Sequence, residues 1–229
     1  HEKFMQALPC EKGAWDWNVI FSDSPASYQL QLQALSTLNI LARAYELNGN
    51  TDYLSYGEAF LESWTDYSNS DEIAENSLVW HDHGTALRAE NIMNFALTLE
   101  KADMLNQEKI LNINSLLKKH AEFLNDEAHY TPDHNHGIFQ DCALAYLGYF
   151  LSVPESGEWI ATAEKRLQSQ IDHAFNDELV HVENSPGYHF TVLQLFTDIA
   201  QFFQQQNNPF GEILTQDIQK NMCKIFIEH

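Results

Sequence analysis

Helical patterning runs along this entire chain and recurs in units of about fifty residues. Gly and Pro are scarce, at 9 and 6 residues of 229, and no run of β-branched residues alternates as a strand would. The apolar spacing predicts about eight helices, near 30–48, 53–64, 85–102, 107–123, 138–151, 158–175, 188–204 and 211–227. Every second helix begins about 50–58 residues after the previous one, so the repeating unit is a helical hairpin.

Helical hairpins repeated in this way either stack as a solenoid or curl into an α/α toroid. We predict an all-α fold of the second kind, an incomplete α/α toroid of repeated helical hairpins. At 229 residues the chain fits one large domain or two small ones. It contains no Pro-, Gly- or Ser-rich linker, so we interpret residues 1–229 as a single domain.

The charge balance is strongly acidic, with 12 basic and 33 acidic residues and a net charge of −21. A duplex nucleic-acid binder needs a basic surface, and an anionic membrane attracts basic segments, so this balance argues against both partners. The longest apolar runs are too short to cross a bilayer, which predicts no membrane insertion. The oligomeric state does not follow from the sequence.

Three polar clusters stand just before apolar helical stretches in three successive hairpins. Because the starts of alternate helices open at one end of a toroid, we expect these clusters to line one cleft. The clusters are Trp80-His81-Asp82-His83-Gly84-Thr85 with Arg88 behind it, Asp133-His134-Asn135-His136-Gly137, and Glu183-Asn184-Ser185-Pro186-Gly187-Tyr188-His189.

The middle cluster supplies an amide beside an imidazole. The Asn135 amide can donate two hydrogen bonds to a carboxylate without adding a charge, and His136 can donate or act as a base near neutral pH. The alternative is that Asn135 caps the helix that follows, since Asn is a favoured N-cap residue. On residue type alone the capping interpretation is the commoner one.

The third cluster ends on Tyr188-His189. A Tyr phenol is a poor base at its ordinary pKa of about 10, and it becomes useful where cationic or donor neighbours lower that value. Pro186-Gly187 would form a tight turn that presents Tyr188 at a helix start. The alternative is an aromatic residue that only packs against the helix end.

The first cluster combines His81, Asp82 and His83 with Arg88. A His-x-His pair with an Asp is typical of metal ligands, yet the spacing fits no specific zinc signature, and we predict no metal. Arg88 could hold a carboxylate with two parallel hydrogen bonds. The alternative is a buried arginine paired with an acid such as Glu90 or Asp141.

Other catalytic signatures are absent from the sequence or not specific. There is no phosphate-binding Gly-rich loop and no Gly-x-Ser-x-Gly elbow. A pair of hydrolase carboxylates is harder to exclude among 33 acidic residues. Position singles out no pair, although several acids lie near the clusters: Asp82, Asp133, Asp141 and Glu183.

These motifs, in this order, resemble the heparinase II/III-like family of polysaccharide lyases, which includes oligoalginate and exopolysaccharide lyases. The resemblance rests on Asn135-His136-Gly137 and on the stretch Ser185-Pro186-Gly187-Tyr188-His189-Phe190, with 53 residues between Asn135 and Tyr188. The stretch 80–88 is similar to the family's preceding inner-helix motif. Residues 15–205 are covered by the resemblance.

The resemblance implies an N-terminal α/α toroid followed by a β-sandwich domain, so we expect this chain to be a fragment of a longer one. It implies β-elimination next to a uronic acid, without metal or other cofactor. Asn135 would neutralise the uronate carboxylate with His136 or Arg88 assisting, and Tyr188 would be the Brønsted base and, in a syn elimination, the acid to the leaving oxygen. His83, Arg88 and His189 would bind substrate. The implied partner is a uronate-containing polysaccharide or oligosaccharide, and the implied location is periplasmic or secreted.

Two other classes of function stay open. One is an α/α-barrel glycoside hydrolase that uses two carboxylates and water. The other is a non-catalytic carbohydrate-binding or helical interaction domain. For a lyase, the net charge of −21 favours a carboxylated, weakly or non-sulfated substrate, because a densely sulfated chain would be repelled at low salt.

Overall fold

A computed structural model describes residues 10–11, 14–19, 24–73, 77–132, 134–173 and 186–221. These ranges contain nine α-helices and a 3-10 helix at Glu127–His129. They also contain an antiparallel pair of two-residue strands, β1 (Cys10–Glu11) and β2 (Ala14–Trp15). The helices are α1 (Pro25–Gln33), α2 (Thr37–Asn48), α3 (Asp52–Ser68), α4 (Asp82–Lys101), α5 (Gln107–Asn125), α6 (Asn135–Phe150), α7 (Ser156–His173), α8 (Pro186–Gln205) and α9 (Phe210–Asn221). None of these helices is long and apolar enough to cross a bilayer.

The helix ends follow local chemistry that the sequence contains. Pro25 occupies the first turn of α1, where a missing N–H costs nothing. Gly49 ends α2 with a left-handed φ of 71°, and its N–H donates to the Tyr45 carbonyl at 2.7 Å. Helices α1, α4, α6 and α8 begin at residues 25, 82, 135 and 186, so the predicted period of about fifty residues is confirmed, with α1 and α2 together in the place of the first predicted helix.

One predicted helix is wrong. The stretch 30–48 is two helices, α1 and α2, because Leu35 adopts a φ of 55° and is fully buried. The break frees carbonyl groups that α4 takes up: Arg88 Nη1 donates to the Gln33 oxygen at 2.6 Å, and Asn91 Nδ2 donates to the Ala34 oxygen at 2.8 Å. Tertiary hydrogen bonds therefore override a continuous helical pattern at this corner.

The chain divides into two compact units, residues 1–122 and 123–229, which we call unit 1 and unit 2. Among the described residues of unit 1, α2 packs against α3 and α4, and α1 packs against α4. The largest fully buried side chains there include Leu38, Leu54, Trp64, Phe95 and Ile92. The interpretation of residues 1–229 as one domain within a longer chain stays a prediction.

In unit 2, α6 packs against α7 and α8, and α9 packs against α8 and α7. Helix α6 is buried on most sides, which explains its nearly uninterrupted apolar sequence. Buried residues of unit 2 include Leu144, Leu147, Leu167, Phe196 and Phe203. The start of α6 carries the middle polar cluster, so this packing fixes the helix that presents Asn135.

Candidate functional site

In unit 1, the first cluster forms the start of α4. Asp82 is the first residue of the helix, where its negative charge interacts favourably with the positive end of the helix dipole. Its Oδ1 lies 2.8 Å from His81 Nδ1 and accepts a hydrogen bond from the His83 backbone N–H at 2.6 Å. The hydrogen bond with Asp82 raises the pKa of His81. His83 therefore lies in the first turn of α4, as predicted, with its side chain half-buried.

Arg88 lies in the core of unit 1 and is fully buried. Its Nε donates to His120 Nε2 at 2.8 Å, and its guanidinium lies over the Trp64 ring, 4.2 Å from the ring centroid. The Trp80 ring is also near, at 5.3 Å. Burial lowers the pKa of Arg88 to about 9. Burial and the adjacent guanidinium hold the pKa of His120 well below its usual range, so the imidazole is neutral and can accept this bond.

Within the described part of unit 1, Arg88 does not pair with an acid, which was the alternative interpretation. Within the described part of this unit, its hydrogen-bond acceptors are Gln33, Thr85 and His120, and none is a carboxylate. Burial raises the pKa of Glu90 to about 7, which is the opposite of the shift that an ion pair with Arg88 would cause. The prediction that Arg88 binds a substrate carboxylate stays a prediction.

In unit 2, the residue that caps α6 is His134. Its Nδ1 accepts a hydrogen bond from the His136 backbone N–H at 3.1 Å, and Asn135 is the first residue within the helix. The capping alternative for Asn135 is therefore wrong. Residue type does not predict this cap, because His is not among the favoured N-cap residues.

The Asn135 side chain is buried, with only 9% of the residue exposed. Its Oδ1 has no hydrogen-bond partner among the residues that the structure describes. A buried polar atom without a partner is costly, and in native proteins it calls for a ligand, a water molecule or a functional reason. His136 is half-buried beside it, with its ring edge-to-face with His134 at 4.4 Å between centroids.

Residues 129–131, which precede α6 and are called the segment, hold the start of that helix in place through hydrogen bonds. Gln140, fully buried in the second turn, binds the segment through both ends of its amide. Its Nε2 donates to the His129 carbonyl at 2.8 Å, and its Oε1 accepts from the Thr131 N–H at 3.0 Å. Sequence reasoning missed this role, although a Gln within an apolar helix was the available signal.

Tyr130, between those two residues, joins α6 to α7. Its hydroxyl donates to Asp141 Oδ2 at 3.0 Å and accepts from Gln170 Nε2 at 2.9 Å. The Arg166 guanidinium covers its ring at 4.0 Å from the centroid. Burial raises the pKa of Asp141 well above its usual range, and burial together with Asp141 raises the pKa of Tyr130.

This arrangement removes Asp141 from the set of possible hydrolase carboxylates. The carboxyl group is fully buried and hydrogen-bonded to Tyr130, with Arg166 Nη1 3.8 Å away. A general acid must reach a substrate oxygen within hydrogen-bond distance. Asp133 and Glu183, the other acids near the clusters in this unit, lie outside the described residues.

Gly137 is required by close approach. A Cβ atom there would lie closer than 3.0 Å to both the Thr131 carbonyl oxygen and Gln170 Nε2. The absence of a side chain therefore lets the first turn of α6 pack directly against the preceding segment and α7. The Gly in the Asn135-His136-Gly137 motif has a packing function that its position in the sequence does not reveal.

Helix α8 begins at Pro186, so Tyr188 and His189 lie in its first turn, as predicted. The side chains of both residues lie outside what the structure describes. Asn135, His136, Tyr188 and His189 belong to unit 2, and His83 and Arg88 to unit 1. That all six line one cleft stays a prediction. No group of three or more potential metal ligands occurs among the described residues.

Comparison with known proteins gives the chain a family and a fold. A family model described as Heparinase II/III N-terminus matches residues 2–227. The crystal structure of heparinase III is similar with a TM-score of 0.82 at 18% identity, over 92% of this chain and 32% of that one. A mutant of the heparan sulfate lyase HepC from Pedobacter heparinus is similar with a TM-score of 0.79 at 17% identity, over 95% of this chain and 34% of that one.

The chain thus spans about a third of the length of the solved structures that it matches. No curated protein sequence matches it. At these identities the structural likeness establishes the fold, and the predicted all-α class of repeated helical hairpins is confirmed.

Proposed function

Since the chain belongs to the heparinase II/III N-terminus family, we propose that it is the helical catalytic domain of a polysaccharide lyase. Its substrate is a uronate-containing polysaccharide or oligosaccharide, which it cleaves by β-elimination. The observation that carries the proposal is the buried Asn135 amide at the start of α6, whose Oδ1 has no partner among the described residues. His134 provides the cap, so helix formation does not explain the presence of Asn135.

The chemistry requires a neutralised carboxylate. The C5 proton of a uronate is barely acidic while the adjacent carboxylate keeps its full charge, and fixed donors stabilise the enolate-like intermediate. Turning the Asn135 amide by half a rotation exchanges its oxygen and nitrogen, so its NH2 group can face a substrate carboxylate. The amide brings no charge and is already desolvated, which strengthens the bond that it makes.

The proton transfers fall to Tyr188 in this proposal. The phenolate removes the C5 proton, the C–H electrons form the C4–C5 double bond, and the C4–O bond breaks. In a syn elimination the same phenol then gives its proton to the departing oxygen, so atoms and charge balance. The first-turn position of Tyr188 in α8, a helix that packs against α6, supports this role.

The remaining predicted residues have supporting roles. His136 assists Asn135 from the next position of α6, and His83 and His189 contact substrate from the first turns of α4 and α8. Arg88 differs from them, because its described contacts are with core groups of unit 1. We assign it first to holding the α1–α2 corner and only second to the substrate carboxylate.

The net charge of −21 supports a weakly sulfated or non-sulfated substrate, and the family resemblance supports a periplasmic or secreted location. The test is an assay of the full-length protein against a panel of uronate polysaccharides that differ in sulfation. A lyase produces an unsaturated uronate and a rise in ultraviolet absorbance with each cut. New reducing ends without absorbance would indicate a hydrolase, and retention of the polysaccharide without cleavage would indicate a binding domain.

A further inference from the structure

We infer that Gln170, on α7, is a positioning residue for Asn135 and acts on it through Tyr130 and Gly137. The inference rests on the proposed function, because Asn135 needs precise positioning only if it acts on a substrate. Gln170 is buried, with 3% exposed, and lies 35 residues from Asn135 in sequence.

The first step is the contact between Gln170 and the segment that leads into α6. Gln170 Nε2 donates to the Tyr130 hydroxyl at 2.9 Å, and that hydroxyl donates onward to Asp141 Oδ2 at 3.0 Å. A single hydroxyl thus receives a bond from α7 and gives one to α6. Both bonds are inside the protein, where unmade polar contacts are costly, so the three groups fix one another's positions.

The second step is the contact between Gln170 and the first turn of α6. Gly137 leaves no room for a Cβ atom against Gln170 Nε2 and the Thr131 carbonyl. The Gly137 N–H also donates to the His134 carbonyl at 2.9 Å, which closes the turn that contains Asn135. Gln170 therefore packs against the outside of the helical turn that contains Asn135.

The third step concerns precision. Displacing a reacting group by about 1 Å can cost roughly a hundredfold in rate. Asn135 sits at a helix end, where backbone hydrogen bonds are incomplete, so neighbouring groups set its position. Tyr130 and Gln170 supply that constraint from the preceding segment and from α7, and Gln140 ties α6 to the same segment. The arrangement is preorganisation by groups that never touch substrate.

The test is a double-mutant cycle in the full-length protein. Gln170→Leu should lower kcat roughly tenfold to a hundredfold, with KM changed less than threefold. In an Asn135→Ala background the same change should lower kcat no further, because the displaced group is already absent. Its effect on thermal stability should be equal in both backgrounds, because the bond that it removes, from Gln170 Nε2 to the Tyr130 hydroxyl, is present in both.

Two companions keep the test decisive. Gln168→Leu is the matched control, because Gln168 lies on the same helix and its amide binds Asp172 and Asp217 instead; it should leave kcat unchanged. Tyr130→Phe keeps the ring beneath Arg166 and removes only the shared hydroxyl, and it should repeat the Gln170→Leu pattern if that variant does not fold.

The outcomes separate the inference from the proposed function. Multiplicative losses of kcat in the cycle would overturn the inference alone. The proposed function would be refuted if the wild-type protein cleaved no polysaccharide of the panel, or if the Asn135→Ala variant kept full activity. If the proposed function is refuted, amide hydrogen exchange of His136 and Gly137 still tests whether Gln170 fixes the first turn of α6. Gln170→Leu should accelerate this exchange, and Gln168→Leu should not. Unchanged exchange in Gln170→Leu would overturn it.

Discussion

His134 Nδ1 accepts a hydrogen bond from the His136 backbone N–H at 3.1 Å, across the intervening Asn135. This bond is the N-cap of α6, and it releases the Asn135 amide from any capping task. Asn135→Ala should therefore lower turnover by about 10²–10³-fold, the typical loss for one donor to a developing oxyanion. The melting temperature should stay close to that of the wild type. Steady-state kinetics and thermal melting of the same preparation measure both.

The matched experiment changes the cap itself. His134→Ala should destabilise the protein by about 1 kcal/mol, the usual loss of an N-cap side chain. His134→Asn should restore most of that stability, because Asn is a favoured cap. Asn135→Ala melting earlier while turning over normally would show that Asn135 is structural and would remove the main support for a lyase.

Tyr188→Phe should abolish lyase activity, since it removes the group that takes and returns the proton. Combined with Asn135→Ala, the loss should be far from additive, because both residues serve one transition state. Absorbance of the unsaturated product gives the rate. A Tyr188→Phe protein that still cleaves polysaccharide would favour the hydrolase, whose two carboxylates need no phenol.

Arg88→Lys should destabilise the protein by about 1–3 kcal/mol, because an ammonium cannot serve all three guanidinium partners and leaves a buried acceptor unpaired. The acceptors at risk are the Gln33 carbonyl and His120 Nε2. Chemical denaturation measures the loss. Arg43→Lys is the control, since Arg43 is exposed and its ion pair within the described ranges is with Glu46 on the same helix face, and it should change stability little. Equal effects of the two changes would contradict the core role of Arg88.

Glu90 should make stability fall as the pH rises. Burial raises its folded pKa to about 7 from an ordinary value of 4.5, so the folded state holds a proton that the unfolded state has lost. Its stabilising contribution is complete below pH 4.5 and is lost as the pH rises through 7. The slope in between is at most about 1.4 kcal/mol per pH unit. Denaturation between these limits should give a flatter profile for Glu90→Gln, and parallel profiles would refute the assignment.

The hairpin period follows from apolar spacing, because each helix buries one stripe of its surface. The α1–α2 break does not, since Leu35 fits a helical pattern and only the donors of Arg88 and Asn91 make its left-handed backbone acceptable. At the site, apolar spacing predicted helix starts near 85, 138 and 188, and the helices begin two or three residues earlier, at Asp82, Asn135 and Pro186, because polar residues of the clusters form their first turns. The bonds of Gln140 and Gln170 depend on groups distant in sequence, and no local pattern encodes them.

The packing of Arg88 against two indoles also gives unit 1 an optical signature. The Trp64 and Trp80 rings lie 6.4 Å apart at 64° to one another. Indole transitions this close in space couple, and a coupled pair that is not coplanar contributes a two-signed band to circular dichroism that differs from the helical spectrum. That band tracks the geometry of two side chains, whereas the helical signal tracks the backbone. Loss of the band with the helical signal intact would mark loosening of the tryptophan–arginine core ahead of unfolding.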